Sequence, residues 1–199
     1  MKRSGCGGVN FTSTPPPLLL QCMFAVGSLE VYLKFGEKMN GKLIQLNVSQ
    51  GGIPKLPIRE AYVSVERVAG DAWRGHTHGG KDAAVCLFST ELIEELKKLG
   101  YELFPGAVGE NFTTEGLDYH KINIGDVFQV GDEVQIKIAK NRIPCSNLDV
   151  YGKGMPERIY DAEVKSGNVE TPKWGKSGFK CSVLKEGIVK PGDVIIKIQ

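Results

Sequence analysis

The chain has 199 residues, enough for one well-filled core with an appendage. Hydrophobic residues make up 41% and charged residues 24%, the balance of an ordinary globular protein, which excludes a chain that is disordered throughout. A net charge of +2 gives no electrostatic case for nucleic acid or an anionic membrane surface as the main partner.

Residues Met1 to about Asn40 carry no helical or strand period and read as a flexible N-terminal extension. Their one apolar run, Leu18 to Val26, follows Lys2, Arg3 and the triplet Pro15-Pro16-Pro17, so a leader role is open. It is too short to cross a bilayer, which takes roughly 20 apolar residues. From residue 41 to 199 the texture is that of a single domain. Lys42 to Ser49 reads as a first strand, followed by a proline- and glycine-rich ordered loop to Pro57, and Ala61 to Val68 reads as a second strand. Ala83 to Phe88 is a short buried strand.

Thr90 to Leu99 is the clearest helix. Ser89 or Thr90 can cap it, Lys97 and Lys98 suit its C-terminal dipole, Gly100 stops it, and Leu92, Ile93, Leu96 and Leu99 share a face. After it come short strands: Asn111 to Thr114, then Val127 to Val130 and Glu133 to Ala139 around the two-residue connection Gly131-Asp132. Pro156 can open a second helix ending before Gly167, and Phe179 to Leu184 and Val194 to Ile198 close the domain. The fold class expected is mainly β with a few helices, in a closed-sheet or β-barrel arrangement.

Three stretches could carry chemistry. In Lys140-Asn141-Arg142-Ile143-Pro144-Cys145, Pro144 cannot donate to a neighbouring strand, so pairing should stop and leave Cys145 on a strand-end loop. A cation near a thiol favours the thiolate, the form that attacks electrophiles or binds a soft metal. A small hydrophobe at a strand end is the alternative. Gly75 to Lys81 has the spacing of a phosphate-binding P-loop, but Asp82 stands where a magnesium-binding hydroxyl is needed and a strand follows where a helix is required. The same segment offers His76 and His78 for zinc, with His120 elsewhere, or His78 as a base for Cys145, or a solvated glycine turn. Finally, Phe104 to Phe112 places glycines around Ala107-Val108, with Glu110 as a possible acid or base and Asn111 as donor and acceptor. The five cysteines are odd in number and form no CxxC pair, which opposes a disulfide framework and fits a reducing cytoplasm.

The ordered series Gly70-Asp71, His78-Gly79-Gly80-Lys81-Asp82-Ala83-Ala84-Val85, Pro105 to Asn111, Ile124-Gly125-Asp126 and Pro144-Cys145 resembles the MOSC family, over about Gly51 to Ile198. It is most similar to stand-alone members that act against N-hydroxylated bases. The resemblance implies a closed β-barrel of the pyruvate-kinase barrel-domain type and a bound molybdenum cofactor (molybdenum–molybdopterin), with Cys145 as metal ligand. It further implies cofactor contacts among Lys55, Asp71, Arg74, His78, Gly79, Gly80, Lys81, Asn111 and Arg142, with Glu110 or His78 as proton donor. The activity implied is an oxidoreductase that reduces small N-hydroxylated substrates. No haem- or flavin-like motif is present, so separate electron-donor proteins are implied, with no nucleic acid or membrane partner, and a monomer or homodimer. A cofactor carrier without turnover, or a sulfur carrier through a persulfide on Cys145, are the alternatives.

Overall fold

The computed structural model describes residues 39–73 and 79–199. All but the last two residues of the expected N-terminal extension lie outside that range, as do Arg74, His76 and His78. Ten strands are present: β1 (Asn40–Val48), β2 (Leu56–Ile58), β3 (Ala61–Val63), β4 (Val85–Ser89), β5 (Phe112–Glu115), β6 (Val127–Val130), β7 (Val134–Asn141), β8 (Phe179–Lys185), β9 (Gly187–Val189) and β10 (Val194–Lys197). The helices are α1 (Thr90–Lys98), α2 (Met155–Ile159) and α3 (Ala162–Ser166). Seven strands close into a barrel in the order β1-β5-β4-β8-β7-β6-β10, with β10 pairing back onto β1. Closure leaves these strands no open edge, so each backbone ladder finds a partner within the ring. β2 extends the sheet beside β1, and β3 pairs with β9 in a separate two-stranded sheet.

The barrel expected from the pattern is therefore observed, with local corrections. The stretch read as a strand from Ala61 to Val68 stops at Val63. Ser64 then forms a turn in which its Oγ accepts from the Arg67 backbone N–H, at 3.2 Å. The connection between β6 and β7 has three residues, because Val130 pairs directly with Val134. The single helix expected from Pro156 is broken in two at Tyr160-Asp161. Asp161 leaves the helical conformation and its carboxylate accepts from the N–H of Val164 at 3.1 Å, capping α3. β9 was hidden in the sequence because its three residues lie between turn signals.

Among the described residues β4 and β5 are the parallel pair, with α1 in the connection between them. Ser89 caps α1 by accepting from Leu92 N–H at 3.2 Å. Leu92, Ile93 and Leu96 are buried, whereas Leu99, expected on that face, is exposed just past the helix end. Within the barrel wall Val134, Ile136 and Ile138 point into the core, together with Cys181 and Phe179 of β8. Trp174 packs edge-on against Phe179 and its indole N–H donates to Ile122 O at 2.8 Å, which satisfies the one polar group it buries.

The alternation of β7 does not continue unbroken. Ile138 pairs with Cys181, but Lys140 pairs with Lys180 and Asn141 with Phe179, so two residues of β7 oppose one of β8. This bulge at Ala139 reverses the parity of the strand. Had the alternation run on, Lys140 and Arg142 would share the apolar face with Ile138. The bulge turns them to the opposite face, where the cavity lies.

Candidate functional site

Directly opposite residues of an antiparallel pair project to the same side. Val85 opposite Cys181 faces the core, and Cys86 opposite Lys180 faces away from it. There a cavity of about 400 Å³ is bounded by Cys86, Lys180, Arg142, Cys145, Trp73 and Ile53. β7 delivers Arg142 after the bulge, its backbone N–H still bonded to Gly178 O at 2.9 Å. Pairing then ends, as Pro144 demands, and Cys145 opens the 3-10 segment Ser146–Tyr151. Leu148 is fully buried and Tyr151 packs edge-to-face on Phe104 with ring centres 5.8 Å apart, so the segment carrying Cys145 is anchored on both sides. The Cys145 side chain itself is exposed and free of any disulfide.

Beneath the cavity lies a polar network in which the bonding capacity is almost filled. Asp71 accepts from Ser49 N–H at 2.9 Å and from the Asn111 amide at 2.9 Å, and pairs with the Lys55 ammonium. The Asn111 amide also donates to Asn47 O at 3.2 Å, and its oxygen accepts from Cys86 N–H at 3.2 Å. Lys55 and Asn111 therefore reach the cavity wall with partners already in place. Asp71 lies behind them. Its charge compensates that of buried Lys55, which is its structural reason for being there.

Glu110 is fully buried and does not line the cavity. One carboxyl oxygen accepts from Gly106 N–H at 2.6 Å and from the Thr113 hydroxyl at 2.9 Å. Gly106 needs that anchoring, since it has φ +93 and a Cβ there would stand 2.2 Å from Lys55 O. Burial pushes the Glu110 carboxyl up, against the pull of the Gly106 amide, Thr113 and Arg142. A direct proton-donating role for Glu110 does not fit this position. It holds the 105–109 turn instead.

Among the described residues four buried side chains keep a polar atom without a partner, Glu110, Asn141, Arg142 and Ser177, and Arg142 is the one that lines the cavity. The residue is 8% exposed, one terminal nitrogen donates to Val108 O, and the other, Nη1, has no partner among the described residues. A guanidinium lining a cavity favours an anionic or carbonyl oxygen beside it. Of the residues expected around a phosphate, Gly79, Gly80 and Lys81 do not line this cavity; Lys81 is exposed in a 3-10 turn, and Gly79 packs against the Trp73 ring. Arg74 and His78 are outside the described residues. His120 is exposed, and among the described residues no three His, Cys, Asp or Glu side chains gather as a metal site. The zinc reading thus gains nothing.

Sequence reasoning missed Lys180, Cys86 and Trp73. Lys180 and Cys86 sit inside strand-like runs, and only the β4–β8 register shows that they stand side by side on the cavity wall. Burial pushes the Cys86 thiol up, against the opposing pull of Arg142 and Lys180, and burial lowers Lys180. Trp73 holds the cavity edge with its ring stacked under the Arg67 guanidinium, 4.5 Å from the ring centre. Among the described residues no helix is long and apolar enough to cross a membrane.

A closed barrel with a lone cysteine on a strand-end loop above a cationic cavity defines a known class of protein. The MOSC domain model matches residues 74–196, and the chain belongs to that family. MOSC domains are associated with the molybdenum cofactor. The chain is 35% identical over 146 residues to the uncharacterized protein YflK of Bacillus subtilis, covering 71% of this chain and 60% of that one. It is 27% identical over 144 residues to a Gibberella moniliformis protein named reductase, covering 69% of this chain and 24% of that one. The chain thus spans less than two thirds of the length of these curated relatives. In fold it is similar to YiiM from Geobacillus stearothermophilus, with TM-score 0.60, 24% identity and coverage of 80% of this chain and 75% of that one.

Proposed function

We propose that the cavity holds the molybdenum cofactor, that Cys145 ligates the metal, and that the protein is an oxidoreductase reducing small N-hydroxylated compounds with electrons from separate donor proteins. The observation that carries this reading is that an exposed, anchored Cys145 and the buried cation Arg142 line one cavity. A thiolate is a suitable soft donor to such a metal, and a guanidinium suits the anionic end of a pterin phosphate. The cofactor would supply the two-electron chemistry that protein side chains lack.

The protein's own share is positioning and shielding. The 3-10 segment fixes the Cys145 sulfur at the cavity mouth, Trp73, Ile53 and Val108 give apolar walls, and Arg142 fixes charge at the base. With Glu110 buried behind the wall, this reading keeps His78, which lies outside the described residues, as the donor of the proton needed by a leaving nitrogen. The match to a protein named reductase supports the redox reading over a carrier role.

After reconstitution with cofactor, the purified protein is expected to hold molybdenum in near-equimolar amount by elemental analysis. Cys145→Ala should lose the metal while its stability stays within about 0.5 kcal/mol, since the side chain is exposed. Metal retained by that variant would refute the ligand assignment. Reduction of a hydroxylamine by loaded protein with an artificial donor separates an enzyme from a carrier.

A further inference from the structure

The segment behind Cys145 has three columns of side chains, because a 3-10 turn repeats every three residues and stacks position i on position i+3. Two columns are tied to the rest of the protein. Leu148 is fully buried and Tyr151 packs on the Phe104 ring, while Asp149 of the next column accepts from Gly154 N–H at 2.9 Å. The third column is Asn147 and Val150. Among the residues that line the cavity, only these two and Cys145 are exposed, so one segment forms the rim. No hydrogen bond to another described residue holds the Asn147 amide. Val150, at 72% exposed, is the barest large hydrophobic side chain among the described residues. An isopropyl group left in water contributes nothing to the fold, but beside a cavity it gains when the apolar part of a ligand covers it.

We infer that the Asn147–Val150 column selects the substrate, an inference that rests on the reductase reading above. Its order along the chain sets how a ligand lies. Asn147 is two residues from Cys145, and Val150 stands a further turn along, about 6 Å at the rise of a 3-10 helix. With the N-hydroxyl group at Cys145, the Asn147 amide, both donor and acceptor, meets the polar atoms beside the reacting nitrogen. Val150 then covers the carbon body behind them. The substrate class is an N-hydroxylated compound with a hydrogen-bonding group on the adjacent carbon and an apolar body beyond it. A small bare hydroxylamine reaches neither residue and is expected to bind more weakly.

The test uses protein loaded with cofactor and a series of straight-chain N-hydroxyamidines of two to eight carbons. Kd is read by calorimetry without an electron donor, so that no turnover occurs, and KM and kcat with an artificial donor. In wild type each methylene that reaches the rim should tighten binding by up to about fourfold, the transfer value of a fully buried CH2. Val150→Ser should flatten that gain, and the loss should fall on KM rather than kcat, as for binding shared by ground and transition states. Ile188→Ser, at an exposed side chain of β9 away from the cavity, should keep the wild-type gain. Methylating the free amidine nitrogen should cost wild type about fivefold, one hydrogen bond, and cost Asn147→Ala nothing further. An equal gain per methylene in folded Val150→Ser, or a methylation loss retained in Asn147→Ala, would overturn the inference and leave the reductase reading standing. Loaded protein that reduces no member of the series, yet binds it with a gain that Val150→Ser abolishes, would keep the rim and remove the reductase reading. Binding of no member at all would remove both.

Discussion

Cys181 and Lys180 are chain neighbours on β8, yet Cys181 is sealed between its partners Val85 and Ile138 while Lys180 looks onto the cavity across from Cys86. The contrast extends to the two thiols. Burial pushes both up, but no cation opposes the shift at Cys181, whereas Arg142, Lys180 and Lys55 all oppose it at Cys86. One wall thus separates an apolar interior from a cationic recess only a strand's thickness away. The lesson is that the candidate site lies on the outer face of this wall, and that the parity of each strand decides which face a residue joins.

The most severe way to break this contrast is to shift the strand by one residue beyond the bulge. Inserting one alanine between Lys140 and Asn141 keeps the bulge at Ala139 and drives Arg142 toward the core side. An unpaired buried cation costs several kcal/mol, a large share of a typical domain stability of about 5–15 kcal/mol. The insertion variant is expected not to reach a cooperative fold, measured by denaturant unfolding. A variant with wild-type stability would show that strand parity does not place Arg142.

A smaller effect is expected at the network under the cavity. Asp71→Ala strands the buried Lys55 ammonium and the donors of Ser49 and Asn111, and should cost about 3–5 kcal/mol by urea unfolding. A loss below about 1 kcal/mol, the level of an exposed ion pair, would place this pair with the surface ones.

The smallest effect has a definite sign. The folded carboxyl of Glu110 is raised, so the native state binds its proton more tightly than the unfolded chain does. Stability from this group is therefore lost as pH rises from the ordinary glutamate value, about 4.3, toward the raised one. Glu110→Gln removes that dependence and keeps an acceptor for Gly106 and Thr113. The stability of the variant relative to wild type should shift in the variant's favour as pH rises across that interval, in paired thermal melts. A pH-independent difference would show that the Glu110 charge carries no burial cost.

Much of the fold was readable in advance because it rests on local chemistry. The helix at 90–98 announces itself by cap, period and stop. Val134, Ile136 and Ile138 declare a strand by alternation, and Pro144 declares where its pairing ends. The Cys145 loop was legible for the same reason. Leu99 was misplaced because helical period says nothing about where neighbouring elements end, and the break at Asp161 escaped because a mid-run aspartate caps a helix only if the preceding turn unwinds. Glu110 drew attention as a charged residue among glycines. Its burial, and its bonds to Gly106 and to Thr113 of β5, appear only in the folded chain.

By itself the sequence determined a strand-rich domain, its main helix, its family and the loop cysteine, since turn chemistry, hydrophobic period and motif order act over a few residues. The tertiary structure alone decided that Lys180 and Cys86 stand side by side on the cavity wall and that Asp71 neutralises Lys55. It alone turned Lys140 and Arg142 away from the core. Those outcomes follow from strand register and from one bulge, and a shift of one residue in pairing exchanges inside for outside without changing a single letter of the chain.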